Sequence, residues 1–299
     1  MTGPALLPPA LQPGDTIGVM STSCWVDESD ILKAKEFVES RGYEVFVHPQ
    51  ATKRLHQSAG SADDKVKAFH DLFKNTDVKA IMSARGGNRA ITMLDQIDFD
   101  LVKNNPKALI GYSDLTILLN SVYARTGMVS FHGPVFRELP ERKDAGQMLD
   151  ILAGKVQTID LPGAQIVRAG VAEGRLLGGN LSLFQTLLGT PYLPDMKGAI
   201  LFLEDIGDHL SRYDRMLGHL RAAGILKQIS GLILGQFTDI QDDEERAFGF
   251  TLEDVVREHT AGLDIPVLMN APFGHGDDLP TFPVGCPVRL EDTHLRLLP

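Results

Sequence analysis

The sequence predicts a two-domain α/β protein: an N-terminal doubly wound, mostly parallel sheet, and a smaller C-terminal mixed α/β domain. Three observations carry this. Short β-branched runs alternate with amphipathic segments through the first half, which is the pattern of βαβ units. The pattern loosens between about 154 and 175 (AGKVQTIDLPGAQIVRAGVAEG). Beyond it, strands and helices resume in shorter pieces. We therefore expect an N-terminal domain over 1–155, a linker over 156–169 and a C-terminal domain over 170–299.

Thr16 to Met20 (TIGVM) reads as the first strand, and Glu28 to Ser40 as a helix stopped by Gly42. Tyr43 to Val47 (YEVFV) is the second strand. Ser61 opens a helix that runs to Asn75, with Asp64 three residues on, a pairing that satisfies free N–H groups at a helix start. Val78 to Met82 is a third strand, broken by Arg85-Gly86-Gly87. Ala108 to Gly111 is a fourth, with its helix from Leu115 to Arg125 ending at Gly127. In the second half, RLLGGNLSLFQTLLG begins at Arg175, followed by a strand over 199–203, a helix around Tyr213 to Ala223 and a strand over 231–234. The short pieces PVLMN, PVRLE and HLRLL close the chain. No internal repeat is seen. The acidic run at 242–245 reads as a solvated loop.

At 299 residues the chain can bury a large core, and 43% apolar with 23% charged residues is ordinary globular composition. A net charge of −10 with no basic run argues against nucleic acid and anionic membrane as partners. No stretch approaches the roughly 20 apolar residues needed to cross a bilayer. The first fifteen residues hold four prolines and no basic segment, unlike a secretory signal. Two cysteines, Cys24 and Cys286, are too few for a disulfide framework. A soluble, cytoplasmic protein is expected.

In parallel sheets, functional groups gather beyond the carboxyl ends of the strands. Two stretches stand there. In GYSDL, Ser113 sits on a sharp strand-to-helix junction, either as a nucleophile backed by the N–H groups of the next helix or as a plain helix N-cap. The G-x-S-x-G signature of such a turn lacks its second glycine here. Gly86-Gly87 is either a close-approach turn for a ligand or an ordinary βα turn.

Serine chemistry needs a base and an orienting carboxylate. His275, between two glycines after PVLMN, is free to face a cleft, and His132 in SFHGP is its rival. Glu204 ends the apolar strand AILFL, where a carboxylate must be paired to offset its desolvation. Asp205, Asp277 and Asp278 are alternatives. Cys24 reads as a small loop residue or a reactive thiol. Metal ligands lack suitable spacing, and the turn STSCWVDES lacks a dinucleotide fingerprint, so no cofactor is expected.

Together these stretches resemble the LD-carboxypeptidase family of serine peptidases, which includes the microcin C self-immunity peptidases. The resemblance rests on PPALQPGDTIGVMSTS (8–23), SARGG (83–87), LIGYSDLTILLN (109–120), FHGP (131–134), GRLLGGNLSL (174–183), ILFLEDIGD (200–208) and APFGHGDD (271–278), in the family's order. It implies a Ser113–Glu204–His275 triad in a cleft between the domains. Backbone N–H groups of Asp114 and of the Gly86-Gly87 turn would form the oxyanion hole. It further implies a murein tetrapeptide substrate, cut between meso-diaminopimelate (or lysine) and terminal D-Ala, and a homodimer. Arg85 and Asn180 are candidates for holding the substrate, Arg85 otherwise being a surface ion-pair partner. The chain departs from the family pattern in having Asn88-Arg89 where an aromatic residue and a further glycine often follow the glycine pair. The short segment 184–198 leaves little room for a loop gripping a nucleotide, which favours murein recycling over self-immunity.

Overall fold

A computed structural model describes residues 5–243 and 245–298. In chain order the strands are β1 (Thr16–Met20), β2 (Glu44–Val47), β3 (Val78–Ser83), β4 (Ala108–Gly111), β5 (Ser130–His132), β6 (Thr158–Asp160) and β7 (Gln165–Arg168). They continue as β8 (Val171–Asn180), β9 (Ile200–Ile206), β10 (Gly231–Thr238), β11 (Val267–Met269), β12 (Phe282–Val284), β13 (Pro287–Glu291) and β14 (His294–Leu297). The helices are α1 (Glu28–Glu39), α2 (Ala62–Lys74), α3 (Phe99–Asn104), α4 (Thr116–Thr126), α5 (Ala145–Leu152), α6 (Leu181–Phe184), α7 (Leu210–Ala222) and α8 (Leu252–His259).

The chain forms two compact units. One runs to Val156 and takes back Pro191–Pro194 and Pro280–Gly285; the other holds Gln157–Thr190, Asp195–Leu279 and the stretch from Cys286 onward. Two expected boundaries need correction. The stretch 156–169 is no plain linker, because β6 and β7 lie in it and each pairs as an edge strand, with β14 and β11. Nor does all of 170–299 stay in the second unit, because β12 pairs antiparallel with β5 of the first, Phe282 opposite His132.

The first unit is a six-stranded sheet in the order β12-β5-β4-β3-β1-β2, parallel from β5 to β2. Its strand order reverses between β1 and β3, and the turns after β1, β3 and β4 leave the same end of three adjacent strands. Local chemistry explains the helices. Ser61 and Asp64 make the reciprocal capping box at the start of α2, with Asp64 N–H donating to Ser61 Oγ at 3.1 Å. Gly127 ends α4 at φ 77°, a conformation glycine adopts without steric cost. α4 buries Ile117, Leu118, Leu119 and Val122, so it is clasped in the core rather than laid on the surface.

Lys107, just before β4, is tethered through Nζ to the carbonyls of Asn75 and Val78. Burial, with nearby Lys79, pushes its pKa down to about 8 from 10.5. Between these values the unfolded chain binds more protons on this side chain, so its contribution to stability rises with pH. The Tm difference between wild type and Lys107→Met should therefore move in favour of wild type as pH rises from 8 to 10.5. Parallel melting curves across that window would contradict this.

The second unit is an eight-stranded sheet in the order β6-β14-β13-β8-β9-β10-β11-β7. Its centre, β8 to β11, is parallel, and its flanks are antiparallel. Asp242, Asp243 and Glu245 lie in an exposed loop, as read from the sequence; Glu244 lies outside the described residues. Among the described residues no helix is long and apolar enough to cross a membrane.

Candidate active site

Ser113 follows β4 and Tyr112, and opens the one-turn helix Ser113–Leu115 that leads into α4. Its φ is +61°, a left-handed conformation that L-residues other than glycine, asparagine and aspartate seldom take. Such strain on a half-buried serine at a strand-to-helix turn is the geometry of a nucleophile elbow. The missing second glycine has a physical account. Leu115 fills that place, is fully buried, and packs so close that a Cβ on Gly111 would lie 2.5 Å from its Cδ2. The first glycine makes room for the leucine.

The turn after β3 passes directly beside Ser113. A Cβ on Gly86 would stand 3.2 Å from Ser113 Cβ and 3.4 Å from its Oγ. Gly87, at φ 134°, leans on the β1 turn, where a Cβ would meet Cys24 Sγ at 2.3 Å. Cys24 is buried, 3% exposed, and packs against Gly87. Tyr112 is anchored on the other side, its hydroxyl donating to both Glu138 carboxylate oxygens at 3.1 Å, with Arg142 alongside. Burial, then Glu138, holds the Tyr112 hydroxyl protonated well above its ordinary range.

A buried network missed in the sequence ties these turns together. Asp114 is 1% exposed and accepts from Ser23 Oγ at 2.5 Å and from Ala90 N–H at 2.8 Å. Lys65, fully buried in α2, donates to the Arg89 carbonyl at 3.3 Å. Burial raises the Asp114 pKa and lowers that of Lys65, and each charge favours the ionised form of the other. One aspartate thus joins the turns after β1, β3 and β4. No local spacing signals it, because its members come from four separate segments.

In the second unit, His275 Nδ1 and Glu204 Oε2 are 2.7 Å apart. Glu204 is fully buried near the carboxyl end of β9, and His275 follows β11, which runs in the same direction. The flanking glycines leave room for this pair and its neighbours, Gly274 also at φ 131°. A Cβ on Gly274 would come within 3.1 Å of Glu204 Cβ and Oε2, and one on Gly276 would overlap Gln236 Oε1 at 1.9 Å. Burial raises the Glu204 pKa, while His275 and then Asn180 pull it back. A carboxylate accepting from Nδ1 fixes the proton there and leaves Nε2 as the basic nitrogen.

The alternatives fall to other tasks. Asp205 accepts from Asn180 Nδ2, Ser182 N–H and Ser182 Oγ at 2.7–2.9 Å and so caps the turn into α6. Asp277 is exposed, and the imidazole pairs with buried Glu204. His132 is fully buried in β5, edge-on to the Tyr112 ring. Asn180 is buried at the end of β8, its carbonyl accepting from Leu183 N–H and its amide reaching Asp205, a supporting position beneath Glu204. Arg85 donates to the Trp25 carbonyl at 3.3 Å. Among the described residues no cluster of His, Cys, Asp and Glu could hold a metal ion.

Comparison with known proteins finds relatives and structural neighbours that match along most of the chain. A Bacillus subtilis (strain 168) protein described as a probable murein peptide carboxypeptidase is 32% identical over 285 residues, 93% of this chain and 89% of its own length. The Pseudomonas aeruginosa murein tetrapeptide carboxypeptidase is 30% identical, over 90% of this chain and 91% of its own. The structure of MccF in complex with glutamyl sulfamoyl guanosine superposes with a TM-score of 0.91 at 25% identity, covering 99% of each chain. Residues 17–133 match the LD-carboxypeptidase N-terminal domain and residues 173–290 the LD-carboxypeptidase C-terminal domain. With both domains of the family matched in order, this chain belongs to the LD-carboxypeptidase family.

Proposed function

We propose that the protein is a serine carboxypeptidase that removes the terminal D-Ala of murein tetrapeptides. It would cut the LD bond after meso-diaminopimelate or lysine. The observation that carries the reading is the left-handed Ser113 with Gly86 packed against it. The His275–Glu204 pair supplies the matching base and orienter. The substrate comes from what the relatives from Bacillus and Pseudomonas are named for. Cytoplasmic action in wall recycling, as a homodimer, rests on the family resemblance alone.

In this mechanism His275 Nε2 takes the proton of Ser113 Oγ as the oxygen attacks the carbonyl before D-Ala. Negative charge develops on the carbonyl oxygen, facing backbone N–H groups of Asp114 and of the Gly86-Gly87 turn. In sites of this kind one such donor is worth roughly 10²–10³ in rate. The imidazolium, steadied by Glu204, returns the proton to the departing D-Ala nitrogen. Water, deprotonated by the same imidazole, then releases the tripeptide and restores the serine.

A second reading is a peptidase for aminoacyl sulfamoyl nucleosides, favoured by the close superposition on MccF. Parallel kcat/KM measurements on a free tetrapeptide and on glutamyl sulfamoyl guanosine separate the two. Preferred release of D-Ala supports the wall-peptide reading. Preferred cleavage of the nucleoside conjugate replaces it, and turnover of neither points to a non-catalytic peptide-binding protein.

A further inference from the structure

Arg89 has a conformation that its own side chain makes costly. It sits at φ 76°, ψ 12°, the left-handed region where glycine is the inexpensive choice. The surrounding structure holds it there firmly. Its carbonyl accepts from buried Lys65 Nζ at 3.3 Å and from Thr92 Oγ at 2.7 Å. The next N–H, of Ala90, is fixed by Asp114 at 2.8 Å. The machinery that braces the residue after Ser113 therefore also braces Arg89. None of these bonds uses the guanidinium, which among the described residues enters no ion pair.

Arg89 lines a cavity of about 490 Å³ in the first unit, together with His56, Ser58, Ser61 and Asn88. No carboxylate lines the cavity, although the chain as a whole carries a net charge of −10. Asp64, beside Ser61, forms an ion pair with Lys53 at 2.6 Å. Arg89 is two residues beyond Gly87, so their Cα atoms are at most about 7.6 Å apart, and Gly86 touches Ser113. The cavity can hold an amino acid and several waters, each water taking about 30 Å³.

We propose that this cavity receives the C-terminal carboxylate of the peptide substrate, with the Arg89 guanidinium as its counter-ion. This deepens the carboxypeptidase reading and rests on it. A guanidinium offers paired donors that match a carboxylate, and its delocalised charge gives up water readily. The bonds to its carbonyl and to the Ala90 N–H hold the Arg89 backbone on the same turn as Gly86, so a carboxylate bound there, beyond the scissile bond, would select the last peptide bond of a chain. Arg85 is the contrasting residue, its guanidinium being tied to the Trp25 carbonyl.

The test is calorimetric binding of a tetrapeptide acid and its C-terminal carboxamide to the Ser113→Ala protein, alone and combined with Arg89→Gly, Arg89→Lys or Arg85→Ala. With Arg89 present the acid should bind at least about tenfold tighter than the carboxamide. Arg89→Gly should lose about 10- to 100-fold in affinity for the acid and discriminate no longer. Because glycine suits this backbone, the same variant should keep or raise Tm, which separates lost binding from lost folding. Arg89→Lys should recover part of the preference, and Arg85→Ala should leave it intact. Discrimination that survives Arg89→Gly, or failure of the acid to bind, overturns the subsite. Discrimination lost only with Arg89, in a protein whose wild type releases no D-Ala, would keep the subsite and discard the peptidase reading.

Discussion

Ser113→Ala is expected to lower kcat/KM for release of D-Ala by about 10⁴-fold or more, because the nucleophile and its base act as one unit. The loss should fall on kcat, since Oγ forms its new bond only during the reaction. Folding should be nearly untouched. Alanine at φ 61° bears the same backbone strain as serine, and the half-buried hydroxyl contributes little to packing. Steady-state assay together with a melting curve checks both halves. The variant should also resist a serine-directed phosphonate that labels the wild type. Turnover within tenfold of wild type would remove Ser113 from the mechanism.

Glu204→Gln should cost about 10³ to 10⁴ in kcat. The reason is tautomeric: a glutamine amide can present N–H to Nδ1, which moves the imidazole proton to Nε2, where it cannot act as base. Stability should move the other way. Burial raises the Glu204 pKa above its ordinary 4.5, so the folded state binds more protons than the unfolded between that value and the raised one. Stability is therefore lost as pH climbs through this window, and the neutral isostere escapes the loss. The Tm of Glu204→Gln relative to wild type should be higher at pH 7 than near pH 4.5, with activity reduced at both. The wild-type rate should fall on acidification as Glu204 takes up its proton and ceases to orient His275. A variant that is both active and less stable at pH 7 would contradict the assigned role.

The parallel core of the first unit was legible because its strands are apolar runs and its helices announce their ends, as Ser61 with Asp64 and Gly127 do. The edge strands were not. β6 (TID) and β7 (QIVR) are short edge strands with exposed residues, so they lack the buried apolar run that marks a central strand. The beginning of β8 was hidden by its polar residues and its end by Gly178-Gly179, which look like a turn. Gly178 is in fact a point of close strand approach, where a Cβ would lie 1.9 Å from the Phe202 carbonyl oxygen. β12 could not be assigned to the first sheet from sequence, since its partner β5 lies some 150 residues earlier.

The candidate site divides in the same way. His275 was readable because glycines flank it, and Gly274 sits at a positive φ close against Glu204. Ser113 was half readable, because the glycine before it is sterically required while Leu115 hides the rest of the signature. Lys65 was unreadable. In ADDKVKAF it looks like any charge on a solvated helix face, and only the convergence of three turns buries it beside Asp114.

The most direct test is mass spectrometry of a free murein tetrapeptide incubated with wild type and with Ser113→Ala. The account predicts loss of one alanine, confined to the wild type, with the free amino acid recovered as D-Ala. Equal loss with both proteins would leave the reaction but remove its nucleophile, and loss from neither would contradict the assignment of a carboxypeptidase acting on wall peptides.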